Sequence, residues 1–186
     1  MNPKQKKTNL VWVDLEMTGL DPKKCTILEI GVIITDSELN VIAEGPFIAI
    51  HQSEKILKGM EAWSKHHHKK SGLTGSCRAS KISLKKAEQQ VLDFVKTHCS
   101  LRTAPLCGNT IWQDRRFLVK YMPKLESYLH YRVIDVSSIK ELFERWYGYK
   151  MPREKNQTHR VAEDIRESIE ELKYYREKAF ISRHKK

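Results

Sequence analysis

The chain has 186 residues, with 34 Lys and Arg against 23 Asp and Glu for a formal charge of +11, and 40% of its residues are apolar. That length suits one domain and is short for two, and the apolar share is enough for a packed core, which excludes a disordered polyelectrolyte. No stretch approaches the ~18 apolar residues of a membrane-spanning helix. Asp14 and Glu16 interrupt the short apolar run near the basic N-terminus, so no signal peptide is expected and a cytoplasmic location is the default.

Residues 10–16 predict a first strand, closed by the turn residues Gly19, Asp21 and Pro22. Residues 27–35 form a β-branched run ended by Asp36-Ser37-Glu38-Leu39-Asn40. A third run covers 41–50, with Gly45-Pro46 as a bulge or edge break. Connections this short favour an antiparallel meander. The period then changes. Residues 53–64 have helical spacing through Ile56, Leu57, Met60 and Trp63, with Ser53 as the N-cap, whereas the basic residues 65–81, with Ser71, Gly72 and Gly75, read as a loop or broken helix. Residues 83–98 form an amphipathic helix carrying Leu84, Ala87, Val91, Leu92 and Val95 on one face.

Residues 105–109 predict a short buried strand entering a turn, and 112–121 a helix stopped by Pro123. A last strand follows at 132–136, a helix at 138–147, a polar segment at 148–157, and a final helix at 161–178 with Val161, Ile165, Ile169 and Leu172 inward. This order predicts an α/β domain with a mixed sheet, three antiparallel strands followed by strand–helix units, flanked by helices. The domain is expected over residues 10–176, with a basic extension at 1–9 and a basic tail at 177–186. The four cysteines (Cys25, Cys77, Cys99, Cys107) have no CxxC spacing and read as reduced thiols.

The charge is uneven. Residues 10–50 carry seven acids and two lysines, a net of −5, while residues 51–130 carry fifteen bases and six acids, a net of +9. A basic body with an acidic segment fits a polyanionic partner and a cation site, and it also fits simple solubility. Asp14 and Glu16 stand two apart, so on a strand their carboxylates share one face. Burying both without a cation or a proton costs several kcal/mol, and oxygen-only ligands suit Mg²⁺ or Mn²⁺ better than zinc. The alternative is a strand end that emerges into water. Asp114 lies just inside a helix that follows a short strand, and Asp164 in the first turns of the last helix, where each also reads as an acid favoured by the helix dipole. His159, five positions before Asp164, meets it at one site only if it sits in the loop or cap before that helix, where an imidazole suits a general base.

Three stretches together carry a resemblance. Asp14-Leu15-Glu16-Met17-Thr18-Gly19, then Asn109 to Asp114 with Phe117, then His159 to Asp164 resemble the three motifs of the DEDDh 3′→5′ exonucleases. Residues 11–21, Gln113-Asp114-Arg115-Arg116-Phe117 and Asp164-Ile165-Arg166-Glu167-Ser168 are more closely similar to the oligoribonuclease family. The resemblance implies a ribonuclease-H-like fold and an enzyme that cleaves short RNA, dinucleotides above all, from the 3′ end to 5′-mononucleotides. It implies that Asp14, Glu16, Asp114 and Asp164 hold two divalent cations, Mg²⁺ or Mn²⁺, and that His159 deprotonates the attacking water. It also implies that Leu20 wedges between bases, that Trp63 and His68 hold the 3′ nucleotide, and that Thr110 contributes a substrate hydroxyl where serine is expected. Tyr131, Arg132 and Ser137 resemble residues that reach the 5′ phosphate from the second subunit of a homodimer, with Tyr131 also a candidate catalytic group.

Each assignment has a plainer reading. Trp63 as a core aromatic, Tyr131 as a strand-start aromatic, and His66 or His67 in place of His68 all remain open. Trp112 replaces what is often a small residue, and Glu163 stands where Asp is common. Two other functions compete: a DEDDh exonuclease trimming or proofreading longer RNA or DNA, and a basic nucleic-acid-binding protein without chemistry.

Overall fold

The structure, a computed structural model, describes residues 5–148, 151 and 160–180. Five strands form one sheet in the order β3-β2-β1-β4-β5. β1 (Leu10–Met17), β2 (Ile27–Thr35) and β3 (Val41–Ala49) are the antiparallel meander; β4 (Leu106–Gly108) and β5 (Val133–Asp135) add parallel strands on the other side of β1. The Gly45–Pro46 pair falls inside β3 beside register shifts against β2, which fits the predicted break.

The helices α1 (Glu54–Lys58), α2 (Ala62–Lys70), α3 (Leu73–Ala79), α4 (Leu84–His98), α5 (Ile111–Tyr121), α6 (Pro123–Tyr128), α7 (Val136–Tyr147) and α8 (Val161–Ala179) complete the order. Side chains alternate along β1. Val11, Val13 and Leu15 join Ala87, Val91 and Val95 of α4 and Phe117 and Leu118 of α5 in one core. Trp12 faces the opposite side, toward Val136 and Phe143 of α7 and Ile165, Ile169 and Tyr175 of α8. With two covered faces, β2 reads as an almost continuous apolar run, and all nine of its residues are buried.

Several boundaries differ from the sequence reading. The helix expected over 53–64 is two helices. Gly59 caps α1, and the Glu61 N–H donates to the Thr18 carbonyl at 2.9 Å, which pulls the chain toward the end of β1 before α2 begins. Residues 65–81, read as loop or broken helix, are the rest of α2 and the whole of α3. Leu73 and Cys77 bury against Leu28, Leu57 and Met60, and this tertiary contact overrides the local glycines and lysines. Pro123 does end α5, but it also begins α6, whose first N–H groups are accepted by the buried Glu88 carboxylate (Lys124 N at 2.7 Å). α8 runs to Ala179, three residues past the expected domain boundary. The four cysteines are buried thiols.

Candidate active site

β1 is long and β4 is short. β4 pairs with β1 only at Val11 and Trp12, so the far half of β1 has an open edge on that side. The Leu15 N–H on that edge donates to Asp114 Oδ1 at 3.0 Å. Asp114 therefore reaches β1 from α5, which packs on the other layer, by passing beyond the end of β4. Asp14 and Glu16 lie on the Trp12 side, under the start of α8.

Gly31, the β2 partner of Asp14, decides how close α8 comes. A Cβ there would stand 2.8 Å from Val161 Cγ2 and 2.9 Å from Val161 Cβ, so only glycine admits the first turn of the helix. One residue earlier, the Arg160 guanidinium clasps the buried Glu29 carboxylate, Nε to Oε2 at 3.0 Å and Nη2 to Oε1 at 2.5 Å. Both contacts fix where the next turn projects. As a result, oxygens of Asp14, Glu16 and Asp164 lie within 4.8 Å of one another. Of the two adjacent acids on α8, Asp164 enters this cluster and Glu163 points to solvent.

The electrostatics are unfavourable as they stand. Burial first, and then the carboxylates of Asp114, Glu16, Asp164 and Glu29, holds Asp14 well above the usual carboxylate range. Glu16 is pushed up to about 8 by burial, then by Asp164, Glu29 and Asp114, with Arg160 acting weakly in the other direction. Asp114 is also pushed up to about 8, by burial, against the lowering effect of its bond to Leu15. Concentrated negative charge on oxygen donors alone fits hard divalent cations, which would supply the missing positive charge. Asp114 lies outside the group of three mutually close oxygens, but its charge reaches both Asp14 and Glu16.

His68 is buried on α2, its Nε2 2.8 Å from the Met17 carbonyl and its Nδ1 3.7 Å from Glu16 Oε2. It thus backs the carboxylate-bearing end of β1. Leu20 is 65% exposed, and Gln113 Nε2 holds its carbonyl at 2.6 Å, tying the loop after β1 to the helix of Asp114. Trp63 is 59% exposed and stacks on His67 with ring centroids 3.9 Å apart, so the core reading of this residue is wrong. Thr110 and Ser137 meet directly: Ser137 Oγ accepts from the Thr110 N–H at 2.9 Å and lies 3.1 Å from Thr110 Oγ1. Tyr131 is exposed on the surface and carries the Arg132 guanidinium over its ring at 5.3 Å. His159 lies outside the described residues.

Sequence reasoning gave no role to Glu29, Arg160, Asn109, Ser168 or Glu171, all of which support this site. Glu29 carried a usable signal, being the one charge in an otherwise apolar β-branched run. Asn109 stood inside a quoted motif with no chemistry attached to it.

A family model described as an exonuclease, RNase_T, matches residues 11–172. The chain belongs to the RNase_T exonuclease family. Among curated members, it is 55% identical over 175 residues to an oligoribonuclease of Shewanella loihica, covering 94% of this chain and 97% of that one. It is 53% identical over 174 residues to an oligoribonuclease of Francisella tularensis subsp. novicida, with 94% and 97% covered. A probable oligoribonuclease of Dictyostelium discoideum is 54% identical over 176 residues, with 95% and 93% covered. In three dimensions the chain resembles E. coli exonuclease I in complex with a dT13 oligonucleotide, with a TM-score of 0.70 and 16% identity over 91% of this chain. Exonuclease I from Methylocaldum szegediense gives a TM-score of 0.68 at 17% identity over 92% of this chain. The chain spans about 41% of the length of those two proteins, and at such identities they share its fold alone. The enzyme thus has the fold of a metal-dependent exonuclease, and the carboxylate cluster sits where β1 meets α8. No helix among the described residues is long and apolar enough to cross a membrane.

Proposed function

We propose that the protein is a 3′→5′ exoribonuclease that degrades very short RNA, dinucleotides in particular, to 5′-mononucleotides in the cytoplasm. The observation that carries this is the convergence of Asp14, Glu16 and Asp164 within 4.8 Å in a chain about half identical, over nearly its whole length, to oligoribonucleases. Asp14, Glu16, Asp114 and Asp164 would hold two divalent cations, Mg²⁺ or Mn²⁺. Bound there, the ions supply positive charge against the negative charge that develops on the phosphoryl group and the departing 3′-oxygen.

The protein's own groups do the rest. His159 takes the proton from the attacking water. Leu20 wedges between the two bases, and Trp63 and His68 hold the 3′ nucleotide, His68 also contacting Glu16 and the Met17 carbonyl at the end of β1. Thr110 contributes a hydroxyl to the substrate. A second copy of the chain brings Tyr131, Arg132 and Ser137 to the 5′ phosphate, which closes the 5′ end and sets the length limit; Tyr131 is the second residue tested for a catalytic role. Residues 10–176 perform the reaction, and the basic remainder of the surface adds attraction for the substrate phosphates.

The test compares turnover of a labelled RNA dinucleotide and a ~20-mer at equal concentration, with cation and with EDTA. Fast, EDTA-sensitive release of mononucleotides from the dinucleotide is expected. Equal or faster degradation of the long strand would reject the length limit in favour of a trimming or proofreading enzyme.

A further inference from the structure

Of the run Gln113-Asp114-Arg115-Arg116, only Asp114 has a place in the site so far. Gln113 is buried on α5 and reaches the loop that follows β1, where its Nε2 donates to the Leu20 carbonyl at 2.6 Å. The partner on its other side settles which end of the amide is which. Arg116 Nη1 lies 2.6 Å from Gln113 Oε1, and a guanidinium only donates. The amide therefore turns its oxygen to Arg116 and its NH₂ to Leu20.

The loop is gripped along its backbone and free at its tip. Thr18 and Thr26 close its base, the Thr18 N–H donating to the Thr26 carbonyl at 3.0 Å and the Thr26 N–H to Thr18 Oγ1 at 2.9 Å. A Cβ on Gly19 would overlap the Glu61 carboxylate, so this side chain lies directly on the loop. Further along α5, Lys120 Nζ donates to the Pro22 carbonyl at 2.5 Å and the Tyr121 hydroxyl to the Cys25 carbonyl at 2.5 Å. Between these anchors Leu20 keeps its side chain 65% exposed while Gln113 holds its carbonyl. The next residue of the helix, Asp114, accepts the Leu15 N–H at 3.0 Å. Adjacent side chains on one turn of α5 thus grip the same segment at two points five residues apart. Together they set the height of Leu20 over the carboxylates of β1, which a loop of this length does not fix by itself.

We propose that Gln113, its amide turned by Arg116, is a positioning residue that holds Leu20 at the height where it parts the two bases at the scissile step. The inference rests on the reading of Leu20 as the wedge. It adds the group that aims the wedge and the reason an amide is needed there. Gln113→Glu has the same shape and keeps Arg116 as a partner, but it sets an oxygen against the Leu20 carbonyl oxygen, so an attraction becomes a repulsion.

The readout is the ratio of kcat/KM for the RNA dinucleotide UpU to that for uridine 5′-(methyl phosphate), both with cation-loaded enzyme. The two share the 3′ nucleotide, the scissile phosphodiester and an alcohol leaving group, but the ester has no second base to part. Gln113→Glu lowers the ratio by roughly 10- to 100-fold, the effect of a misplacement of about 1 Å. Arg116→Met, at the surface, lets the amide turn over and lowers the ratio by roughly 3- to 10-fold; it decides the matter if Gln113→Glu does not fold. Leu20→Ala lowers the ratio as well, and adding Gln113→Glu to it costs less than about threefold more, because the side chain through which Gln113 acts is gone. A general loosening of the fold would slow both substrates alike and leave the ratio where it was. A lowered ratio in Leu20→Ala beside an unchanged one in Gln113→Glu and Arg116→Met would overturn the positioning role and leave the wedge standing. Losses that multiply in the double variant would also overturn it, since Gln113 would then act elsewhere than through Leu20. An unchanged ratio in Leu20→Ala would overturn the wedge and the positioning role together.

Discussion

Glu16→Gln in metal-free enzyme separates the energetic cost of the carboxylate cluster from its catalytic use. Glu16 has an ordinary value of 4.5 and is raised to about 8 in the folded protein. The folded state thus holds a proton that the unfolded chain releases. Its contribution to stability is complete below pH 4.5 and is lost as pH rises toward 8. The difference between 4.5 and about 8, at ~1.4 kcal/mol per pKa unit, comes to ~5 kcal/mol, of which ~4 kcal/mol is already lost at pH 7.5. The side chain is only 12% exposed, so screening by solvent takes little from this figure. Glutamine keeps the shape and has no charge to bury. In EDTA the parent's melting temperature should fall as pH rises from 5 to 7.5, and Glu16→Gln should melt roughly 10 °C higher than the parent at pH 7.5, with the two alike near pH 4.5. Adding Mg²⁺ or Mn²⁺ should raise the parent's melting temperature at pH 7.5 and the variant's far less. Thermal unfolding followed by circular dichroism measures all of this. A variant no more stable than the parent at pH 7.5 in EDTA would refute the claim that these carboxylates repel one another in a buried site.

Asp114→Asn keeps an Oδ1 acceptor for the Leu15 N–H and should fold normally, while dinucleotide hydrolysis falls by at least about 100-fold; retained activity would remove Asp114 from the cation site. His159→Ala should slow hydrolysis by roughly 10²- to 10⁴-fold with cation affinity, read by calorimetry, unchanged; a loss of less than tenfold would exclude it as the base. Gly31→Ala forces α8 away from β2 and should cost about 1–3 kcal/mol in urea unfolding together with most of the activity, because Asp164 moves with the helix. Arg160→Met leaves the buried Glu29 without its cation and should destabilise the fold by about 3 kcal/mol, toward the lower end for such a pair because the guanidinium is 37% exposed.

Much of this molecule was legible in local pattern. The two-residue spacing of Asp14 and Glu16 places both carboxylates on one strand face wherever that strand sits, and the spacing of Leu84, Ala87, Val91 and Val95 likewise specifies α4 and its buried face. The charge imbalance and the three motifs pointed to a nucleic-acid enzyme for the same reason: composition and spacing are properties of the chain itself. What local pattern could not carry was anything decided by a distant partner. α1 and α2 separate because Glu61 is tethered to Thr18, and residues 65–81 become helix because Leu73 and Cys77 have a pocket to fill.

The site divides in the same way. Asp164, rather than Glu163, faces Asp14 because the absence of a side chain at Gly31 and the grip of Arg160 on Glu29 set the phase and approach of α8. Residue type and periodicity are short-range and were present in the sequence from the start. Distances between oxygens, and the direction in which a hydrogen points, exist only once the layers have packed and water has been driven from between them.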